Sequence, residues 1–217
     1  MISKTKVATF LLNPYTDKAL ALLAIIPSLG SLYAFTLQLM AGHFDPFSFG
    51  IAFWCVFTIV PMLTRRTATR VSTSPLVWFI TAGRTYWPFL LPYLIDRAHS
   101  VAIAPMPVAA GVFWISISIM VYSRIDLGRN ISFVPARREL VSTGVYGWVR
   151  HPIHTGQLLF YAAYLLRFFS LGNVVVLGIG MAFVIAKTIA EENFLREDED
   201  YRAYCKKVPY RWVPWVA

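Results

Sequence analysis

The sequence predicts an all-α fold, a polytopic transmembrane helical bundle of four to six spans whose last two form a helical hairpin. Three observations carry this. The chain is 57% hydrophobic and only 14% charged, against about 45–50% apolar and about 25% charged in an ordinary soluble domain. Its apolar residues cluster in long runs instead of alternating with polar ones. Its basic residues collect at alternate ends of those runs.

Ala19 to Met40 is nearly free of charge and, at ~1.5 Å per helical residue, crosses a hydrocarbon core of ~30 Å. Beyond Gly42-His43-Phe44-Asp45-Pro46, a second run extends from Phe47 to Leu63 and stops at Arg65-Arg66. Leu76 to Ile95 is the third, interrupted by Arg84, Pro88 and Pro92. Ile103 to Tyr122 is the fourth, with Pro105 and Pro107 near its start, where proline is tolerated. Arg124 to Arg150 is polar and irregular, and then Thr155 to Phe169 and Val174 to Ala190 form the hairpin across Ser170-Leu171-Gly172-Asn173. The first arm reaches only ~22 Å if fully helical, short for an upright span. The whole is read as one membrane domain, with N-terminal spans over 1–123 and a second region over 124–217.

Lys4 and Lys6 precede span one, Arg65, Arg66 and Arg70 follow span two, and Arg124, Arg129, Arg137 and Arg138 follow span four. The positive-inside rule places all of them, both termini and the region after span four in the cytoplasm. Asp45, and Asp96 beside Arg97, leave the opposite loops nearly neutral. The same rule and the anionic inner leaflet account for the net charge of +9, so no nucleic-acid partner is expected. No cleaved signal peptide is expected, because the first apolar run is too long for an h-region. Cys55 within span two and Cys205 in the tail are not expected to pair, and without CxxC spacing no metal site is predicted.

Charged side chains at membrane depth are costly and need a reason. Arg84, midway along span three, is either a buried structural contact or part of a substrate cavity. The densest polar stretch runs from Leu127-Gly128-Arg129-Asn130-Ile131-Ser132 through Leu140-Val141-Ser142-Thr143-Gly144-Val145-Tyr146 to Arg150-His151-Pro152-Ile153-His154-Thr155-Gly156. Pro152 holds His151 extended and opens the following helix, whose backbone donors suit an anionic group. Lys187 and Glu191, four apart, share a helix face, and Glu192 follows. The lone pair reads as a salt bridge; opposite the His151 turn, the glutamates could instead hold an ammonium or ribose hydroxyls.

These stretches, with Glu191-Glu192, Leu195, Tyr201-Arg202-Ala203-Tyr204 and Val208-Pro209, resemble the isoprenylcysteine carboxyl methyltransferase and phospholipid methyltransferase superfamily. Order and spacing match over about the last 90 residues; the first four spans match only in being apolar. The resemblance implies an integral membrane enzyme using S-adenosylmethionine at a cytoplasmic site, without a soluble nucleotide-binding domain. It also implies a lipid-like or otherwise hydrophobic acceptor arriving from the bilayer. Carried over residue by residue, Leu140, Val141, Tyr146, His151, Pro152, Ile153, His154 and Glu191 fall on the cofactor side and Lys187 on the substrate side; from their own charge and position, Glu192 joins the cofactor residues and Arg84 the substrate residues.

This sequence departs from the family at three places: His154 stands where tyrosine is common, Lys187 replaces arginine, and the Phe-Gly turn after the glutamates is missing. A lysine point charge lacks the bidentate fork with which arginine grips a carboxylate. A carboxylate acceptor would need only orientation, by Lys187. An amine or thiol would use a base, for which His154 is the local candidate. Two other readings stay open, a sterol-type reductase, against which Gln157 stands where an aspartate is expected, and a non-enzymatic lipid-binding membrane protein.

Overall fold

A computed structural model describes residues 4–215 and is all-helical apart from one two-residue strand pair. In chain order the helices are α1 (Lys4–Leu12), α2 (Pro14–Met40), α3 (Pro46–Leu63), α4 (Pro75–Leu94), α5 (Met106–Leu127), α6 (Pro152–Arg167), α7 (Leu171–Leu195) and α8 (Glu199–Lys207). Helices α2 to α6 each open with a proline in the first turn, where its missing N–H costs nothing and its fixed φ suits the helix. Asn13 and Asp45 cap two of them, their side-chain oxygens accepting from the Tyr15 and Ser48 amides at 2.9 Å each.

Four helices are long and apolar enough to cross a membrane: α2, α3, α5 with its following turn, and α7. The protein is therefore an integral membrane protein. The third predicted span is indeed helical as α4, but Arg84, two inner prolines and several polar residues leave it below that apolarity. At sixteen residues α6 is about 24 Å long, short of a ~30 Å core. Both shorter helices are nevertheless packed between the spanning ones. Around the bundle α2 packs on α3, α3 on α5, α5 most extensively on α6, α6 on α7, and α7 on α4, while α4 touches α2 only lightly.

The centre is aromatic. Fully buried Phe113 of α5 meets Phe47, Phe160 and Tyr164 with ring centroids 4.4, 5.7 and 6.4 Å apart. The α5–α6 contact depends on Gly156, where a Cβ would stand 2.8 Å from the Ser116 carbonyl oxygen. Outward-facing Leu22, Ile26, Leu29, Val56, Val60, Val175 and Ile179 are exposed, as a lipid-facing surface requires.

The loops separate by charge. At one end, β1 (Arg70–Val71) pairs antiparallel with β2 (Ala136–Arg137). There Arg65 pairs with Asp17 at 2.7 Å, Arg70 with Glu197 at 2.6 Å and Arg137 with Asp198 at 3.0 Å, while Arg66 pairs with Glu139. The side chains of Lys4 and Lys6, which the sequence reading places at this end, lie outside the described residues. At the other end, buried Asn173 bonds the Asp96 amide and the Asp96 and Phe168 carbonyls, and Val101 bridges Phe169. Helices α1 and α8 and the strand pair have no counterpart among the sequence expectations. α5 continues to Leu127 where the apolar run ends at Tyr122, so Arg124 lies inside a helix and not in the loop after it.

Candidate active site

A cleft of about 400 Å³ opens at the basic end of the bundle, between α4, the ends of α5 and α7, the start of α6, and α8. Three sequence-distant turns build its wall. Gly128 ends α5 with φ +51°, a conformation that favours glycine, and turns the chain into Asn130-Ile131-Ser132. One helical step earlier, Asp126 accepts the Val145 amide at 2.8 Å, fastening the turn that carries Tyr146. Gly144 in that turn has φ +59°, and a Cβ there would run into the Asp126 carboxylate. The Tyr204 hydroxyl of α8 donates to the Tyr146 carbonyl at 2.7 Å. Burial pushes the Tyr146, Tyr201 and Tyr204 phenols above their ordinary range, so all three stay neutral donors at physiological pH.

The His151 turn is held from behind by the chain's tail. The Arg150 and His151 amides donate to the Tyr210 and Arg211 carbonyls at 2.9 Å each, and Thr155 Oγ1 donates to the Trp212 carbonyl at 2.6 Å. The Arg150 guanidinium reaches the Val208 and Pro209 carbonyls and Glu192. His151 and His154 then stack, rings parallel within 1° and centroids 5.3 Å apart. His154 Nδ1 lies 2.8 Å from Thr188 Oγ1, whose own proton goes to the Val184 carbonyl at 3.0 Å. Thr188 therefore accepts from His154, so Nδ1 carries the hydrogen and Nε2 is the nitrogen free to take a proton.

Of the residues singled out from sequence, Leu140, Val141, Tyr146, His151, Ile153, His154, Lys187, Glu191 and Arg84 line this cleft together. Lys187 and Glu191 pair at 2.9 Å, the (i, i+4) contact that their spacing anticipates. Two others, Pro152 and Glu192, are not among the lining residues. Pro152 is buried behind the turn and does not face the cleft; its part is to start α6. Glu192 is only 2% exposed and faces away, meeting Arg150 at 2.8 Å, Arg196 and Arg211 at 3.1 Å, and His151 Nε2 at 3.3 Å. Neighbouring residues on a helix point about 100° apart, so one glutamate faces the cleft and the other braces its wall. Accordingly it is Glu192, not Glu191, that touches the His151 turn.

Several cleft residues escaped the sequence reading of the site. In the sequence Arg124 reads as a topology charge, although Ile125 and Leu127 continue the helical pattern past Tyr122. Tyr201 and Tyr204 were visible only as motif residues, and their tertiary placement by α8 had no local signal. The donor set suits a polar ligand. Among the described residues, four buried side-chain atoms of the cleft lining have neither a hydrogen bond nor an ion pair: Arg84 Nε, Arg124 Nε, Asn130 Oδ1 and Tyr201 Oη. Buried polar groups are rarely left unpaired, and such a concentration in one concave site marks where a partner belongs. Among the described residues no group of His, Cys, Asp and Glu is arranged to hold a metal.

Comparison with curated proteins returned no match. Residues 101–201, however, match the family model for phospholipid methyltransferase. The matched stretch contains α5, both glycine-dependent turns, the His151 turn, and the Lys187–Glu191 pair. Over this region the chain is similar to the integral membrane methyltransferases, the superfamily that includes the phospholipid methyltransferases.

Proposed function

We propose that the cleft binds S-adenosylmethionine and that the protein transfers its methyl group to a lipid-like acceptor. The observation that carries this is the gathering of the Glu191 carboxylate, the unpaired Asn130 Oδ1 and Tyr201 Oη, and the Tyr146 and His151 turns in one cleft, most of it built by the stretch that matches a methyltransferase family. Its volume of about 400 Å³ falls in the ~300–1,000 Å³ range of small-molecule sites, and its mixed donors and acceptors suit an amino acid joined to a nucleoside. When bound, S-adenosylmethionine supplies a methyl already activated on a sulfonium.

The chain's own contribution is therefore placement and exclusion of water. Tyr146, His151 and Glu191 are the polar groups that would hold the cofactor, beside Leu140, Val141 and Ile153. Lys187, anchored by Glu191, and His154 face the same space and stand on the acceptor side. With Nδ1 engaged by Thr188, His154 Nε2 can receive the proton that an amine or thiol acceptor must lose. The clustering of Arg65, Arg66, Arg70, Arg129, Arg137 and Arg138 at the cleft's end supports a cytoplasmic site by the positive-inside rule.

Calorimetric titration of the purified protein with S-adenosylmethionine tests this reading. Saturable binding is expected, weakened about tenfold or more in Glu191→Ala and His151→Ala, as the loss of a charge-assisted contact implies. A wild-type protein that shows no binding would overturn it.

A further inference from the structure

A second cavity, of about 90 Å³, lies between α2, α3, α4 and α5. Its walls are mainly apolar, among them Ala24, Ile51, Trp54, Met62, Phe89 and Ile117, with Ser28, Thr58, Thr85 and the Gln157 of α6 as polar exceptions. It shares four lining residues with the cofactor cleft: Arg84, Arg124, Ile131 and Ser132. Both arginines thus stand where the polar cleft meets a mainly apolar cavity.

Neither guanidinium has a hydrogen bond or a salt bridge among the described residues, and the Glu191 carboxylate acts on Arg84 only through space. The Nε atoms of both are buried and unsatisfied. Arg124 is 5% exposed, and its guanidinium lies over the Trp54 indole at 4.8 Å, a contact that orients the charge without neutralising it. Arg84 has its backbone carbonyl engaged by Gln157 at 3.2 Å, which fixes the α4 backbone and leaves the side chain uncommitted. Glu191, the carboxylate lining the same cleft wall, is already paired with Lys187. The basic end of the protein shows how this chain treats its other inward arginines: Arg65, Arg138 and Arg150 each have a carboxylate. Two neighbouring cations, Arg124 buried and Arg84 partly so, are unfavourable without a bonded carboxylate unless an anion arrives.

We propose that Arg84 and Arg124 form a seat for the oxyanion of the methyl acceptor, whose hydrocarbon stem enters the apolar cavity. The acceptor is then an anionic amphiphile bearing a carboxylate or phosphate next to its chain. This rests on the methyltransferase reading for the word acceptor, but the seat itself rests on the two unpaired arginines. The cofactor's own carboxylate is the competing occupant. Against it, both arginines line the apolar cavity as well, which a nucleoside-linked amino acid has no reason to enter. The cavity holds only the first few carbons, and the lightly packed α2–α4 edge is the side on which a longer chain would pass into the bilayer.

The test is ligand binding by native mass spectrometry of the detergent-solubilised full chain, with dodecanoate, dodecyl phosphate and dodecanol as probes. Calorimetric titration with S-adenosylmethionine runs in parallel. The seat predicts that wild type retains dodecanoate or dodecyl phosphate at least tenfold better than dodecanol. Whichever is retained names the oxyanion. Arg84→Gln and Arg124→Gln should each lose that preference while cofactor affinity stays within twofold. Equal retention of all three probes by wild type, or an unchanged preference in both variants, overturns the proposal. So does a parallel loss of cofactor affinity in both variants, which assigns the arginines to the cofactor. Because the guanidiniums are unpaired in the free protein, the variants should also melt no lower than wild type; a fall of several degrees would mark them as structural and refute the seat. Absence of S-adenosylmethionine binding in wild type would refute the methyltransferase reading alone and leave the probe preference to be judged by itself.

Discussion

The two adjacent glutamates of α7 should fail in different ways when neutralised. Glu192→Gln keeps the side-chain shape but strands Arg150, whose side chain is 5% exposed and whose one carboxylate partner among the described residues is Glu192. Breaking a buried pair from one side costs about 3–5 kcal/mol. The Val208 and Pro209 carbonyls still accept from Arg150 at 2.7 and 2.6 Å, which puts the cost toward the lower end. Arg196 and Arg211 are 48% and 39% exposed, so each adds about 0–1 kcal/mol. For a chain of this size, the sum lowers Tm by about 6–20 °C. Glu191→Gln strands Lys187 instead. A stranded lysine can shed its proton, whereas an arginine cannot, so the melting loss should be much smaller and the main effect should fall on S-adenosylmethionine binding. Thermal unfolding in detergent, followed by tryptophan fluorescence, reads the first quantity and calorimetry the second. A Glu192→Gln protein that melts within 2 °C of wild type, or a Glu191→Gln protein that falls equally far, would refute the division of roles drawn from α7.

Gly144→Ala forces a non-glycine residue into φ +59° against the Asp126 carboxylate; it should cost about 1–2 kcal/mol and weaken cofactor binding through Tyr146, and unchanged melting and affinity would count against the turn's role. Two glycine substitutions should have opposite signs. Gly156→Ala overpacks the α5–α6 contact and should destabilise by about 1–3 kcal/mol, while Gly178→Ala, with nothing within 4 Å of its Cβ, should be neutral or stabilise by about 0.5–1 kcal/mol; the same sign for both in thermal unfolding would contradict the packing. Burial pushes the Cys205 thiol up. Its reactive thiolate is therefore scarcer at any given pH than in an ordinary cysteine, and maleimide labelling should lag behind a model thiol at pH 7.5 and catch up only at higher pH. Labelling as fast as the model thiol at neutral pH would show that the α8 packing is looser than described.

Much of this protein is local in origin, and the sequence alone determines that part. Long apolar runs demand satisfied backbones in lipid, and only helices provide them here, so α2, α3, α5 and α7 follow from composition. Proline and capping residues mark where helices start, and Gly128 and Gly144 mark turns that other residues resist. The spacing of Lys187 and Glu191 already implied their pairing. The tertiary structure decided what depends on azimuth and on distant partners. Whether Glu191 or Glu192 faces the cleft turns on the rotation of α7, which packing against α4 and α6 sets and no local pattern records. Pro152 occupies a motif position yet only begins a helix. Arg124 looked like a loop charge until α5 carried it inside, beside an Arg84 that comes from forty residues earlier in the chain. A charge at membrane depth announces that it needs a partner; only the folded bundle shows that, among the described residues, neither of these two has a salt bridge.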